Sequence, residues 1–308
     1  MSEILVFGHK SPDTDSICSA IVMADFEQYL GYDTAVACRL GEINKETKYA
    51  LDYFKVEAPK YIESIEEGTP VILVDHNEFA QSVNGIEKAK IMKVIDHHRI
   101  CGFQTAEPLF YMAEPVGCTS TILYELYSIN KSKPLSKTNA GLMLSAIISD
   151  TLLLKSPTTT PKDVMAVEEL AKLADVDYKV YGLEMLKAGT DLSDYSAEGL
   201  LEIDAKCVDM NGNKVKIAQV NTVDIEDVLK SQTDIEAAIN KKIEEENLDL
   251  FMFAITDIVN SNSEALVLGK RTDIVEKAYN VKLENNRAFL PGVVSRKKQM
   301  LPIMQENA

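Results

Sequence analysis

The chain has 308 residues, a formal net charge of −16 and only four histidines. A hydrophobic fraction of 46% and a charged fraction of 26% describe a globular protein with a sizeable core and exclude a disordered or collagen-like chain. The excess of 48 acidic over 32 basic residues excludes the basic footprint of a nonspecific nucleic-acid binder, and no apolar run reaches the ~20 residues of a membrane helix.

The N-terminal part alternates between strand-like and helix-like segments. Glu3 precedes a short apolar run at 4–7, closed by Gly8. With no basic leader and no small-residue cleavage site, this reads as a first strand and not as a signal peptide. Residues 16–29 carry apolar side chains at helical spacing, 34–40 read as a second strand and 45–54 as a helix. The unbroken apolar runs at 71–74 and 91–95 stop at Asp75 and Asp96, and helices are expected at 120–128, 139–149 and 164–174. Short apolar runs alternating with helices predict an α/β domain, a parallel sheet with helices on both faces. Residues 188–196 are small and polar, which places a linker at 189–195 between domains at 1–188 and 196–308. Beyond it, strands at 201–210 and 214–220 flank Asn211-Gly212-Asn213, a hairpin signal. One or two helices at 223–247 and strands at 250–258 and 265–269 complete a smaller α+β domain with a mixed sheet. The five cysteines are scattered, with no CxxC pair. That predicts neither a disulfide framework nor a cysteine zinc site, and makes a reducing cytoplasm the expected compartment.

The histidines carry the chemistry. His9, His76, His97 and His98 all fall in the first third of the chain, each beside or near an aspartate: His9 with Asp13 and Asp15, His76 with Asp75, and His97-His98 with Asp96. Singly the aspartates have ordinary explanations, as a helix cap at Asp13 or Asp15, a turn former at Asp75, or a cap at Asp96. Together they stand with histidines at three strand ends, where open α/β sheets bind ligands. Asp150, at the end of an apolar helix pattern, can enter the same pocket. Imidazoles with carboxylates suit Mn²⁺ or Co²⁺ better than Mg²⁺ alone. Four carboxylates exceed what one divalent ion balances, so the arithmetic favours two ions with one carboxylate bridging.

The stretch from Gly8 to Ser16, Asp75-His76-Asn77 and Asp96-His97-His98 resemble motifs of the DHH phosphoesterase superfamily. Ser295-Arg296-Lys297-Lys298-Gln299 resembles the signature of its family II, manganese-dependent inorganic pyrophosphatases. The resemblance spans essentially the whole chain and implies hydrolysis of pyrophosphate to two orthophosphates, with the active site in the cleft between the domains. It implies one metal on His9 and Asp13, a second on Asp15, His97 and Asp150, and Asp75 bridging them. It puts His98 against the substrate, and Lys206, Arg296 and Lys297 on the phosphates. The guanidinium fork of Arg296 suits two oxygens, and the lysines act as point charges. The expected attack is in line, by a metal-bridged hydroxide with no phosphoenzyme, on pyrophosphate arriving with Mg²⁺. A homodimer is also implied, as is the form without inserted nucleotide-binding domains, since about fifty ordinary residues separate His98 from Asp150. Cleft closure, with Gly189 and the polar residues after it as hinge, is a further expectation. Backbone N–H groups at 117–120 could meet phosphate or simply start a helix. The alternatives are another DHH phosphoesterase, acting on short oligonucleotides, cyclic dinucleotides or polyphosphate, and a non-enzymatic metal-binding protein. Nucleotide-cleaving members usually carry a C-terminal glycine-rich histidine motif, and this chain has no histidine after His98.

Overall fold

The computed structural model describes residues 3–130 and 134–308. Packing divides the chain into two compact units, Met1–Gly189 and Thr190–Ala308. In the first, the elements run β1 (Ile4–Phe7), α1 (Thr14–Tyr29), β2 (Ala35–Arg39), α2 (Lys45–Phe54), β3 (Lys60–Tyr61), β4 (Pro70–Val74), β5 (Lys90–Asp96) and β6 (Phe110–Ala113). Four helices follow: α3 (Thr119–Ile129), α4 (Lys137–Asp150), α5 (Pro161–Ala174) and α6 (Tyr178–Gly189).

The six strands form one sheet in the order β3-β2-β1-β4-β5-β6, parallel throughout. The order reverses between β1 and β4, which makes that point the crevice of a doubly wound sheet. β1 and the apolar run of β4 are buried because the sheet is covered on both sides. Leu5, Phe7, Leu73 and Val94 face one core; the alternate residues face α1 and α3. The cover differs between the faces. Long helices lie on one, whereas loops and 3₁₀ turns at Phe79–Gln81 and Ile86–Lys88 close the other. The fifteen residues between β4 and β5 form these two 3₁₀ turns and no α-helix. α4 is buried from Asn139 to Ile148 because it packs against α1, α3 and α5 at once.

The second unit holds α7 (Ala197–Leu200), β7 (Ala205–Met210), β8 (Asn213–Thr222), α8 (Ile225–Leu229), α9 (Gln232–Glu246), β9 (Leu250–Asp257), β10 (Asn262–Gly269), α10 (Asp273–Tyr279) and β11 (Arg287–Pro291). A π-helical turn at Arg296–Met300 then leads into α11 (Leu301–Glu306). Its sheet runs β11-β10-β9-β8-β7 and is mixed: β8 and β9 are parallel, the other pairs antiparallel. The β7–β8 hairpin turns on Asn211 and Gly212, both with positive φ, the pairing a two-residue hairpin turn requires. β7 starts at Ala205, four residues later than the apolar pattern suggests, because residues 201–204 form a turn.

Gly189 differs from its expected place at the head of the linker: it is the last residue of α6. It is glycine for want of space, since a Cβ there would sit 2.8 Å from the Cβ of Glu46. Among the described residues, no helix is long and apolar enough to cross a membrane.

Candidate metal centre

β1, β4 and β5 end side by side. His9 lies two residues past β1, Asp75 directly follows β4, and Asp96 closes β5 ahead of His97 and His98. Asp13 caps α1 by accepting the Ser16 N–H at 2.9 Å, which sets Asp15 in its first turn. Asp150 is the last residue of α4. Gly8 lets the chain pass α1 closely, because a Cβ there would overlap the Ser16 hydroxyl. Asp75 takes φ +58°, the left-handed region that aspartate tolerates better than most residues.

Asp75 is the centre of the arrangement. Its Oδ2 lies 3.4 Å from His9 Nε2 and its Oδ1 lies 3.4 Å from His97 Nε2. Asp13 Oδ2 stands 3.5 Å from His9 Nε2, and Asp150 Oδ2 stands 3.9 Å from His97 Nε2. Three groups have ligand atoms within 4.8 Å of one another: His9-Asp13-Asp75, Asp15-His97-Asp150 and Asp75-His97-His98. Both flanking imidazoles are held from behind by backbone carbonyls, His9 Nδ1 by Lys10 at 2.8 Å and His97 Nδ1 by Val116 at 3.0 Å. That places the proton of the neutral ring on Nδ1 and turns the Nε2 lone pair toward the carboxylates, as metal-ligating histidines require. The residues therefore fit divalent cations: hard carboxylates with imidazoles, in two groups sharing Asp75. A cavity of about 560 Å³ opens over Asp13, Asp75, His97, His98, Arg99 and Asp150.

The electrostatics express the same crowding. Burial pushes the Asp15 carboxyl up, Asp75 adds to it, and the group reaches about 6. Asp150 is likewise raised, by burial and then by Asp15, Asp75 and Asp13. Burial alone would lower the imidazoles, but the carboxylates outweigh it. His9, beside Asp13 and Asp75, is held at about 11, and His97, beside Asp75 and Asp15, at about 9. Asp75 itself stays well below the usual carboxylate range, because His9 and His97 overcome its burial.

Supporting residues surround the ligands: Ser16, His76, Asn77 and Asp96 stand within the quoted motifs, and Thr119 stands outside them. Ser16 Oγ donates to Asp75 Oδ2 at 2.9 Å and accepts the His9 N–H at 3.1 Å. Thr119 Oγ1 donates to Asp75 Oδ1 at 3.3 Å. Asp96 accepts His98 Nδ1 at 3.0 Å and Asn77 Nδ2 at 2.6 Å, so it fixes the His98 ring and leaves its Nε2 free of that bond. Asn77 also donates to the Arg99 carbonyl and accepts the Cys101 N–H, a role in orientation. His76 is buried between the Val74 carbonyl and Ser82. Three of the four N–H groups at 117–120 do not await phosphate. Gly117 donates to Asp163, while Thr119 and Ser120 donate to Asp15, so carboxylates already occupy them.

In the second unit, Lys206 stands on β7, and Arg296 and Lys297 open the π-helical turn. Arg296 is buried while Lys206, Lys297 and Lys298 are exposed, so the basic run is not simply a solvated patch. Asp204 grips Arg296 through Nη2 at 2.5 Å and Nε at 3.2 Å, and Gln219 Oε1 accepts the Arg296 N–H at 3.0 Å. The fork expected for two phosphate oxygens is thus taken by Asp204. Nη1 is buried without a hydrogen-bond partner among the described residues, and such an orphan donor marks a place for an acceptor. Cys207, beside Lys206, is exposed, whereas Cys18, Cys38 and Cys118 are buried.

The parallel sheet with His and Asp at its strand ends, followed by a mixed-sheet unit, is the architecture of a DHH-type protein. The DHH family N-terminal domain matches residues 3–147 and the DHHA2 domain residues 183–307. The chain is 57% identical to the manganese-dependent inorganic pyrophosphatase of Bacillus subtilis, over 99% of both chains. It is also 57% identical to the "Probable manganese-dependent inorganic pyrophosphatase" of Exiguobacterium sp., over 100% of this chain and 99% of that one. A crystal structure from Methanococcus jannaschii, assigned to the family II inorganic pyrophosphatases, matches with 44% identity and a TM-score of 0.62 over 98% of each chain. The chain belongs to the family of manganese-dependent inorganic pyrophosphatases.

Proposed function

We propose that the protein hydrolyses inorganic pyrophosphate to two orthophosphates with Mn²⁺ as its metal. The observation that carries this reading is Asp75, whose two oxygens each lie 3.4 Å from a different imidazole, Oδ2 from His9 and Oδ1 from His97. His9, Asp13 and Asp75 would hold one ion and Asp15, His97 and Asp150, with Asp75 shared, would hold the other; Co²⁺ suits the same donors. Such ions, when bound, supply Lewis acidity toward water and the phosphoryl oxygens.

The chain's own residues do the rest. Asp75, held by Ser16 and Thr119, keeps the two ligand groups in one orientation. His98 is tied to Asp96 through Nδ1, and that hydrogen bond raises it from the ordinary imidazole value; its Nε2 is the atom that meets a phosphate oxygen or the leaving phosphate. Lys206, Lys297 and the Nη1 of Arg296 bind phosphate oxygens, as charge-assisted donors do. Mg²⁺ accompanies the substrate and offsets part of its charge. The chain works as a homodimer. The cysteines among the described residues are free, which supports a reducing compartment such as the cytoplasm.

The test is orthophosphate release from pyrophosphate with Mn²⁺ and Mg²⁺, beside a chelated control and an oligonucleotide control, with light scattering for the dimer. Activity on pyrophosphate that vanishes with chelator is the expected result. Cleavage of the oligonucleotide with none of pyrophosphate overturns the reading and favours another DHH phosphoesterase.

A further inference from the structure

Glu46 is a carboxylate that the reaction described above does not use. It sits in the first turn of α2 and is half-buried. One oxygen, Oε1, receives hydroxyl protons from two other helices. Thr14 Oγ1 donates to it across 2.7 Å from the first turn of α1, and Ser149 Oγ donates to it from the last turn of α4. Thr14 lies between Asp13 and Asp15, and Ser149 immediately precedes Asp150. Thr47 Oγ1 meets Thr14 Oγ1 at 3.1 Å and strengthens the α1 side of the junction. Gly189 closes it from behind, with no room for a Cβ against the Glu46 side chain.

One oxygen atom thus joins the start of α1 to the end of α4, the two helix ends that carry Asp13, Asp15 and Asp150. Asp15 and Asp150 reach the same imidazole, His97. Their spacing depends on how α1 and α4 are aligned at this end. Apolar packing alone aligns helices with a tolerance that ligand geometry does not allow. Hydrogen bonds to an ionised acceptor are shorter and stronger than neutral ones, which suits a carboxylate to this junction.

We propose that Glu46 is a positioning residue for the metal centre: through Thr14 and Ser149 it sets the separation of Asp13 and Asp15 from Asp150. The inference rests on the reading of those three aspartates as ligands. Groups behind a ligand shell typically govern metal affinity by about 10–100-fold.

The experiment is Mn²⁺ titration calorimetry on the full-length chain, comparing wild type, Glu46→Ala, Glu46→Gln, Ser149→Ala and Asp150→Ala, with the denaturation midpoint of each metal-free protein. Glu46→Ala is expected to weaken Mn²⁺ binding about 10–100-fold. Glu46→Gln, whose amide oxygen still accepts both protons, restores most of the affinity. Ser149→Ala, which cuts only the α4 arm, also weakens binding and decides the matter if Glu46→Ala does not fold. At saturating Mn²⁺ the Glu46→Ala loss falls on kcat, with KM for pyrophosphate unchanged. A lowered midpoint with wild-type Mn²⁺ affinity in Glu46→Ala or Ser149→Ala overturns the proposal and leaves Glu46 as structural glue. Failure of the wild type to bind Mn²⁺, or undiminished binding by Asp150→Ala, condemns instead the ligand reading on which it stands.

Discussion

Asp204 shows how one side chain changes what a neighbour offers. Without it, Arg296 would present a planar fork to a phosphate; with it, the Nε–Nη2 edge is occupied and Nη1 remains. In return Arg296 holds the Asp204 carboxyl below its usual range. Asp204→Asn keeps one acceptor and loses the charge, so Arg296 is less firmly aimed. A hydrogen bond to a charged group contributes about 1.5–3 kcal/mol, so kcat/KM for pyrophosphate should fall at least about tenfold while Mn²⁺ affinity holds. Steady-state kinetics beside a metal titration checks both; unchanged kcat/KM, or lost metal, removes Asp204 from this role. At this scale the sequence was uneven. The His/Asp clusters were legible because histidine is scarce and all of it keeps company with aspartate. Asp204 was not, since an aspartate before a strand has many ordinary reasons to be there. Nor was the pairing of Asp15 with Thr119 and Ser120, which are more than one hundred residues away: hydrogen bonds of that span leave no local trace.

The connection after α4 is an element that the sequence concealed. Leu152, Leu153 and Leu154 take φ values of 47°, 55° and 66°, three consecutive left-handed residues with side chains that disfavour it by roughly 1–2 kcal/mol each. Surrounding bonds hold them there: Leu153 N–H to the Ile148 carbonyl at 2.9 Å, Leu154 N–H to Thr151 Oγ1 at 3.2 Å, and Ser156 N–H to the Thr151 carbonyl at 2.8 Å. Leu→Gly and Leu→Ala at 152 or 154 delete nearly the same packing, but only glycine relieves the backbone. The glycine variant should therefore be the more stable of each pair by about 1 kcal/mol, the reverse of their order in an ordinary helix. Paired urea melts decide it; alanine equal to or above glycine means that the turn is not strained. Local preference and tertiary demand conflict here, so propensity pointed elsewhere. The elements that could be read from sequence, β1, β2, β4, β5, α1 to α5, the β7–β8 hairpin, α8, α9, β9 and β10, are those whose burial, periodicity or turn chemistry is written in nearby residues. β3 is two exposed residues and β6 a half-buried edge, too short or too polar to stand out from loop.

For the whole molecule, the acidity that excluded nucleic acid is concentrated inside as well as spread over the surface, and it makes stability and metal binding respond to pH in opposite directions. In the metal-free chain His9 titrates at about 11 and His97 at about 9, against an ordinary 6.5. A histidine raised by folding contributes stability that is complete below 6.5 and is lost as pH climbs through its folded value. Asp15, raised to about 6, acts the same way at lower pH, its contribution gone above about 6. Asp75, held low, contributes above its ordinary range and loses that only in strong acid. Between about pH 6.5 and 9, where both imidazoles are charged in the folded chain and neutral in the unfolded one, the balance is therefore a metal-free protein that weakens as pH rises. A ligating imidazole must be neutral, so Mn²⁺ binding expels these protons and tightens over the same window. Two outcomes follow: calorimetry at pH 7.5 in buffers of different ionisation enthalpy should count at least roughly two protons released per chain, from His9 and His97, with Asp150 adding any that it holds, and the rise in melting temperature caused by Mn²⁺ should grow steadily from pH 6.5 to 9. An Mn²⁺-induced rise that stays flat across that range, with no proton release, would mean that His9 and His97 are already neutral when the ions arrive, and the charge balance drawn around Asp75 would have to be abandoned.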